Sequence, residues 1–544
     1  MPDTNDSDSR NPLTLFFHIG FALLLSAILP NPSLAKNSWF ESSVFYEIFV
    51  KSFYDADRDG TGDLQGIIEK LDYINATSPE KSAGLGANAV WLMPVFDSPS
   101  YHGYDVRDYR KIRPSYGSLA DFQNLIKACH ARGMHIILDY PLNHASIDHL
   151  WFQQALKDAH SSKRKMFIFR RNRPARWRQP WDPLSGPESV WHPAGSQYYY
   201  GVFYSGMPDL NFKNPEVSRI MIDTAKYWIG MGVDGFRLDG VRYLIETGAG
   251  SGQADTPMTL EWLRKFNREL KAVNPDICLI GEAWTEMRNI VPYITEPNAV
   301  DACFDFDLAE AIIQAVTDNN YHHVKACLDM RSEMYPADFS DAIFLSNHDQ
   351  TRIASRLKLE YQQRLAAVLL MTLPGTPFVY YGEEIGMEGT KPDPNIRRNF
   401  CWNSSVAAQC NDRCLTEQQN DPESLWNHYC KLIHFRKILP ELSTMSISWF
   451  DSGSKHIAIY KRGSEQNNVV VVANFGIRPE LPGIPVDIWT ERRGFLVDLF
   501  SSRRWEFETM DETEGRYILD PLLPGNIYLL KQEYVGKPEP KGTP

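Results

Sequence analysis

Eight short apolar runs, most of them separated by longer amphipathic stretches, constrain this chain more than any other feature. The runs are Val44–Val50, Ala89–Val95, His135–Tyr140, Gly235–Asp239, Cys278–Ala283, Cys303–Phe306, Ala342–Ser346 and Phe378–Tyr381. β-Branched and aromatic residues fill them and turn formers bound them, as in buried strands. Between them, Leu119–Arg132, Glu216–Met231 and Leu260–Val273 repeat apolar residues at helical spacing. Eight strands alternating with helices predict an α/β fold, a closed parallel (β/α)8 TIM barrel. Two regions break the alternation. The interval from Tyr140 to Gly235, rich in Arg, Trp, Pro and Tyr (RRNRPARWRQPWDP), is too long for an ordinary βα loop and reads as an inserted subdomain. From about Ser446 the pattern becomes short alternating runs (IAIYKR, VVVVANF, YLLKQEY), an antiparallel β-domain.

Composition narrows the partners. With 43% hydrophobic and 23% charged residues the chain can bury a sizeable core, and a net charge of −12 argues against nucleic acid or anionic membrane as a partner. Leu13–Leu29 is a largely apolar run followed by Pro30, Pro32 and the small-residue pattern Ser33-Leu34-Ala35, which predicts a secretory signal peptide cleaved after Ala35. Asp3, Asp6 and Asp8 against Arg10 fit such a leader badly, so a retained anchor is the competing reading. The expected protein is secreted or periplasmic, monomeric, and without stable membrane association after cleavage. Of the 8 Cys, Cys401, Cys410 and Cys414 cluster in a polar loop, with Cys430 not far beyond. In an exported chain that cluster favours disulfide pairing of unread connectivity over a zinc site, for which no histidine pair lies nearby.

Barrel chemistry belongs at the C-terminal ends of the strands. Here four of those ends read DYPLNH (139–144), GFRLDG (235–240), GEAW (281–284) and SNHD (346–349). A lone Asp at such a place is usually a cap or a turn former. Four ends each carrying an acid, three with Arg or His beside it, point instead to a site. Glycosidic cleavage needs two carboxyl groups in different protonation states, and Asp239, Glu282 and Asp349 supply candidates. Arg237 shares a strand face with Asp239 and favours its charged form; a buried ion pair holding the barrel is the competing reading. Glu282, flanked by Ala283 and Trp284, reads as the group kept protonated by an apolar setting.

These segments resemble the α-amylase family, glycoside hydrolase family 13, from about residue 40 to the end. VWLMPVFDSPSYHGYD (90–105), MPDLN (207–211) and GTPFVYYGEE (375–384) extend the likeness, and MPDLN resembles members intermediate between oligo-1,6-glucosidases and neopullulanases. The resemblance implies Asp239 as nucleophile, Glu282 as acid/base and Asp349 as the carboxylate that stabilises the transition state. Arg237, His144 and His348 would line the −1 subsite, and Tyr104 would stack beneath the sugar. It also implies a domain order: leader or anchor 1–35, barrel 36–144 and 207–440, insert 145–206, C-terminal β-sandwich 441–535 and disordered tail 536–544. The implied substrate is an α-glucan or malto-oligosaccharide, cut at internal α-1,4 bonds. Exo-acting relatives carry Asp three residues before the tyrosine of GYD; here Tyr101 stands there, and Arg352, the usual partner of that Asp, lacks it. Arg242-Tyr243 replaces the Lys-His of many members, which puts a calcium site using Asn143 in doubt.

Residues 55–63, DADRDGTGD, set Asp55, Asp57, Asp59, the Thr61 carbonyl and Asp63 at alternate positions, with Gly60 for a sharp turn. Such an oxygen set suits Ca2+, and related family members carry a similar loop. The glutamate that closes an EF-hand is Gly66 here, so that motif fails, and an acidic solvated turn is the competing reading. Other expectations consistent with the motifs are an α-glucosidase, a transglycosylase, a trehalose-synthase-like isomerase, or a non-catalytic membrane-anchored ectodomain. The complete acidic set speaks against the last.

Overall fold

The computed structural model describes residues 38–76, 84–181, 190–403, 413–485, 488–489, 493–508 and 515–533. The leader-like segment, Cys410 and the 536–544 tail lie outside the described residues. Eight parallel strands are present: β1 (Phe45–Ile48), β2 (Ala89–Leu92), β3 (His135–Pro141), β4 (Gly235–Asp239), β5 (Cys278–Gly281), β6 (Ala302–Cys303), β7 (Ala342–Phe344) and β8 (Thr376–Tyr380). They neighbour one another in the order β6-β5-β4-β3-β2-β1-β8-β7. A parallel bridge between Phe304 and Ala342 spans the remaining gap, with the Asp305 amide donating to the Ala342 carbonyl at 3.0 Å. The chain is a (β/α)8 barrel.

The sixth strand departs most from the sequence pattern. Cys303–Phe306 reads as a strand, yet Asp305 caps the helix Phe306–Thr317, its carboxylate accepting from the Leu308 amide at 2.8 Å. Capping of a helix start wins over a short apolar run. Elsewhere local signals agree with the elements. Ser118 and Asp121 form a capping box on helix Leu119–His130. Asn214 and Pro215 open helix Pro215–Met231, which stops at Gly232 with φ 104°.

Strand register explains where a site can form. Phe45, Trp91, Ile137, Ile280, Phe344 and Phe378 belong to one buried apolar cluster. Two residues on from Phe45, Ile137 and Gly235, hence on the same strand faces, come Glu47, Asp139 and Arg237. Asp139 pairs in register with Arg237, and Glu47 with Trp91. An apolar plug therefore fills the barrel and a charged layer lies over it toward the C-terminal mouth. Between β3 and β4 the chain forms helix Leu150–Lys157 and a small antiparallel sheet, in which Gln197–Tyr200 pairs with both Phe169–Arg170 and Trp191–Ala194.

The C-terminal region forms a six-stranded antiparallel sheet in the order Ile447–Phe450, Ile457–Gly463, Asn468–Asn474, Ile527–Glu533, Arg493–Asp498, Arg504–Glu508. Two fully buried arginines tie the turn before β8 to helix Leu425–Ile438 and to this sheet. The Arg436 guanidinium donates to the Met371 carbonyl at 2.9 Å and to that of Gly375. Arg462 donates through Nε to Ser446 at 2.8 Å, through Nη1 to Thr372, and through Nη2 to Leu442 at 3.1 Å and to Thr444. Burial pushes both guanidinium pKa values down to about 9, and among the described residues the hydrogen-bond partners of both are carbonyl oxygens. Replacement Arg462→Met leaves four carbonyls unpaired at roughly 1–3 kcal/mol each where buried. We expect a loss of at least about 3 kcal/mol in denaturant unfolding, checked by the unfolding midpoint against wild type.

Candidate active site

The charged layer centres on Arg237, which is 1% exposed. Its Nη1 donates to Asp139 Oδ1 at 2.8 Å and to Asp239 Oδ1 at 2.7 Å, while Nη2 pairs with Glu282 Oε2 at 2.9 Å. Burial opposes the guanidinium charge, but Asp139, Glu282 and Asp239 more than offset this and hold its pKa well above the usual value. Three carboxyl groups share one cation. Burial raises Asp139 to about 6 and Glu282 to about 7, with Arg237 pulling each down and Asp239 pushing each up. The site therefore holds a glutamic acid poised near neutrality. Gly240, at φ 54°, turns the chain directly after Asp239 and donates its amide to Glu282 Oε2 at 3.0 Å. A side chain there would meet Phe203 at 3.1 Å.

A second group surrounds Asp349. The His348 ring is fully buried, with Nδ1 2.5 Å from Glu47 Oε1 and Nε2 3.0 Å from Asp349 Oδ2. Burial alone would lower the ring's pKa; Asp349 and Glu47 raise it to about 9. Arg397 Nη2 pairs with Asp349 Oδ1 at 2.7 Å. Against the effect of burial, His348, Arg397 and Arg237 pull the Asp349 carboxyl well below the usual range. Tyr104 links the groups: its hydroxyl donates to Asp139 Oδ2 at 2.8 Å and lies 2.6 Å from His348 Nε2, its ring parallel to the imidazole within 15°. His144 is buried, edge-on to Phe203 at 5.0 Å, and forms a backbone bridge to Asp209.

The residues expected from sequence thus fall at one mouth of the barrel, and three further participants emerge. Glu47 is a lone acid inside the apolar run FYEIFV and Asp139 opens DYPLNH, so both carried a signal. Arg397 lies in a loop without periodicity and carried none. Arg352 turns out to have partners: its Nε donates to the Ile396 carbonyl and its Nη1 to that of Tyr381, both at 2.8 Å. The guanidinium facing Tyr101 is that of Arg397, 5.7 Å from the ring. Trp284, expected as part of an apolar setting for Glu282, has an indole that is 50% exposed and stacks on Phe306 at 4.6 Å.

In the 55–63 loop, carboxylate oxygens of Asp55, Asp57 and Asp63 lie within 4.8 Å of one another. Asp59 stands outside that trio, its Oδ1 accepting from the Thr61 amide at 2.8 Å. Asp57 accepts a bond from the Asp59 amide, which lowers its carboxyl pKa, yet desolvation and the neighbouring carboxylates leave it raised. Near the insert, burial raises the Asp209 carboxyl to about 8 close to buried Asn143, while Lys213 pairs with Glu246 at 2.9 Å. Of the clustered cysteines, Cys401 and Cys414 form a disulfide, and Cys430 is free.

Comparison with known proteins agrees with this geometry. A family model described as the α-amylase catalytic domain matches residues 47–443. Alpha-amylase 3 of Dictyoglomus thermophilum is 37% identical over 80% of this chain and 85% of its own length. The trehalose synthase/amylase of Mycobacterium tuberculosis is 33% identical over 65% of this chain and 64% of its own. The solved structure of an α-amylase from H. orenii superimposes with a TM-score of 0.78 at 36% identity, covering 91% of this chain and 100% of that one.

The raised His348 pKa has a testable sign. Relative to its ordinary 6.5, the charged ring's contribution to stability is fully present below pH 6.5 and is lost as pH rises through about 9. Replacement Glu47→Gln removes one of the two carboxylates that raise it. The stability difference between wild type and Glu47→Gln should be greatest below pH 6.5 and shrink above pH 9, read from unfolding midpoints across that range.

Proposed function

The chain belongs to the α-amylase family, glycoside hydrolase family 13, and on that premise we propose that it hydrolyses internal α-1,4-glucosidic bonds of starch, glycogen or maltodextrins with retention of configuration. One observation carries the reading: Asp239 and Glu282 each pair with a terminal nitrogen of a single buried guanidinium, and burial raises Glu282 to about 7. In the first step the Asp239 carboxylate bonds to the anomeric carbon, the glycosidic C–O bond breaks, and Glu282 gives its proton to the departing oxygen. In the second, Glu282 takes a proton from water, whose oxygen bonds to the anomeric carbon as Asp239 leaves. Two inversions leave the product α. Asp349, held charged by Arg397 and His348, accepts from sugar hydroxyls as positive charge develops at the ring. Tyr104 supplies the flat face beneath it.

Tyr101 supports internal attack. The position where exo-acting relatives carry an Asp is a tyrosine here, its ring facing Arg397 at 5.7 Å, so that position itself supplies no carboxylate to hold a terminal sugar. Transfer to a sugar instead of water is the second reading, favoured by the similarity to a trehalose synthase/amylase.

Asp239→Asn should abolish turnover of every substrate with the fold intact. Glu282→Gln should lose kcat/KM on starch but keep much of kcat/KM on α-maltosyl fluoride, because that ratio reports the first step and fluoride leaves without a proton. Wild-type kcat/KM on starch should fall as pH rises through about 7, where Glu282 loses its proton. Equal losses on both substrates in Glu282→Gln contradict its role as acid.

The 55–63 loop fits a hard cation, since Asp55, Asp57 and Asp63 converge and repel one another unless a cation compensates. In this reading Ca2+ is held there by Asp55, Asp57 and Asp63 and ties the loop after β1 to the helix Leu64–Glu69. Chelator should lower the thermal midpoint of wild type. Asp57→Ala should start lower and not respond; unchanged midpoint and response in that variant remove the site.

A further inference from the structure

The chain just after Asp239 makes an unusual connection to the chain just after Glu282. Arg242 forms a two-pronged ion pair with Asp255, Nε to Oδ1 at 3.0 Å and Nη2 to Oδ2 at 2.6 Å. Its remaining prong, Nη1, donates to the main-chain carbonyl of Trp284 at 2.6 Å. Asp255 is held from two more directions: its amide donates to the Arg242 carbonyl at 2.9 Å, and the buried Tyr293 hydroxyl donates to Oδ1 at 2.7 Å. It also adopts φ 55°, a left-handed conformation that costs a non-glycine residue about 1–3 kcal/mol and persists only where its surroundings over-determine it. The strain and its restraints lead to one peptide group, that of Trp284, two residues beyond Glu282.

The Trp284 side chain is a half-exposed indole with one face on Phe306, the planes 7° apart. A large ring fixed on one side and open on the other is a ready stacking surface, preorganised so that little rotamer entropy is lost on binding. Glu282 delivers its proton to the leaving oxygen, and Trp284 follows it by two residues in the loop after β5. We propose that Arg242, locked by Asp255 and Tyr293, is a positioning residue that fixes Trp284 as the platform for that leaving-group pyranose. This rests on the reading of Glu282 as the acid. It has a further consequence. The platform that holds the leaving sugar also holds an incoming one, so the Arg242–Asp255 lock sets how often the glycosyl-enzyme passes to a sugar instead of water.

The test compares two substrates across three variants. Maltoheptaose has sugars beyond the cleaved bond and α-maltosyl fluoride has none. For Asp255→Asn, Arg242→Lys and Trp284→Ala, the loss of kcat/KM on maltoheptaose should exceed the loss on α-maltosyl fluoride by about tenfold or more. The ratio of transfer to hydrolysis products at high maltoheptaose should fall in parallel, and Trp284→Phe should recover part of both. Arg242→Lys keeps the charge but cannot serve both Asp255 and the Trp284 carbonyl, and Trp284→Phe keeps a ring over Phe306, so the core beneath it stays covered. Equal loss on the two substrates, or an unaltered transfer ratio, overturns the proposal. A wild-type protein that turns over neither substrate overturns the functional reading, and the proposal with it.

Discussion

One guanidinium buried beneath three carboxyl groups is the constraint on which the rest of the site depends. Arg237 has five donors in a rigid plane and cannot lose its proton at working pH. It can therefore neutralise one negative charge at the barrel mouth, and three acids compete for it at 2.7–2.9 Å. Burial raises Asp139 to about 6 and Glu282 to about 7, while Arg237 pulls each down. Placing three acids around one fixed cation thus keeps a proton available near neutral pH at the barrel mouth. Asp349, by contrast, has two cationic neighbours of its own in His348 and Arg397, and its carboxyl is held in the opposite direction.

The barrel supplies this arrangement through register. Strand faces that are apolar at Phe45 and Ile137 become charged two residues later at Glu47 and Asp139, and β3 and β4 are paired so that Asp139 lies opposite Arg237. The layer beneath is a dry aromatic and aliphatic plug, which leaves the charges little solvent on that side. Tyr104 crosses between the Arg237 and His348 groups, so the two are hydrogen-bonded into one network.

Much of this was legible in the residues, for physical reasons that also mark where legibility ended. Strand periodicity and abrupt charge at strand ends located β1 to β8 and the segments holding Asp239, Glu282 and Asp349. The end of the sixth strand was carried too far because Phe304 and Phe306 look like strand residues, while the cap at Asp305 is a single polar residue in an apolar run. Glu47 was passed over because an acid within a strand is read against its neighbours, and its partner His348 is 301 residues away. Arg397 and the Arg242–Asp255 lock depend on loops whose paths no local pattern encodes. The guanidinium facing Tyr101 is that of Arg397, a pairing the sequence pattern did not offer, since Arg352 is engaged by carbonyls.

In the reading proposed above, the Asp239–Arg237–Glu282 arrangement performs a double displacement. Retaining enzymes hold their two carboxyl groups roughly 5–5.5 Å apart, and inverting ones roughly 6.5–9.5 Å to admit a water. Sharing one guanidinium favours the shorter spacing. The most direct measurement is the anomeric form of the first product, followed by proton NMR before mutarotation. A double displacement gives the α-anomer at the earliest times, relaxing slowly toward the equilibrium mixture; initial release of the β-anomer would contradict it.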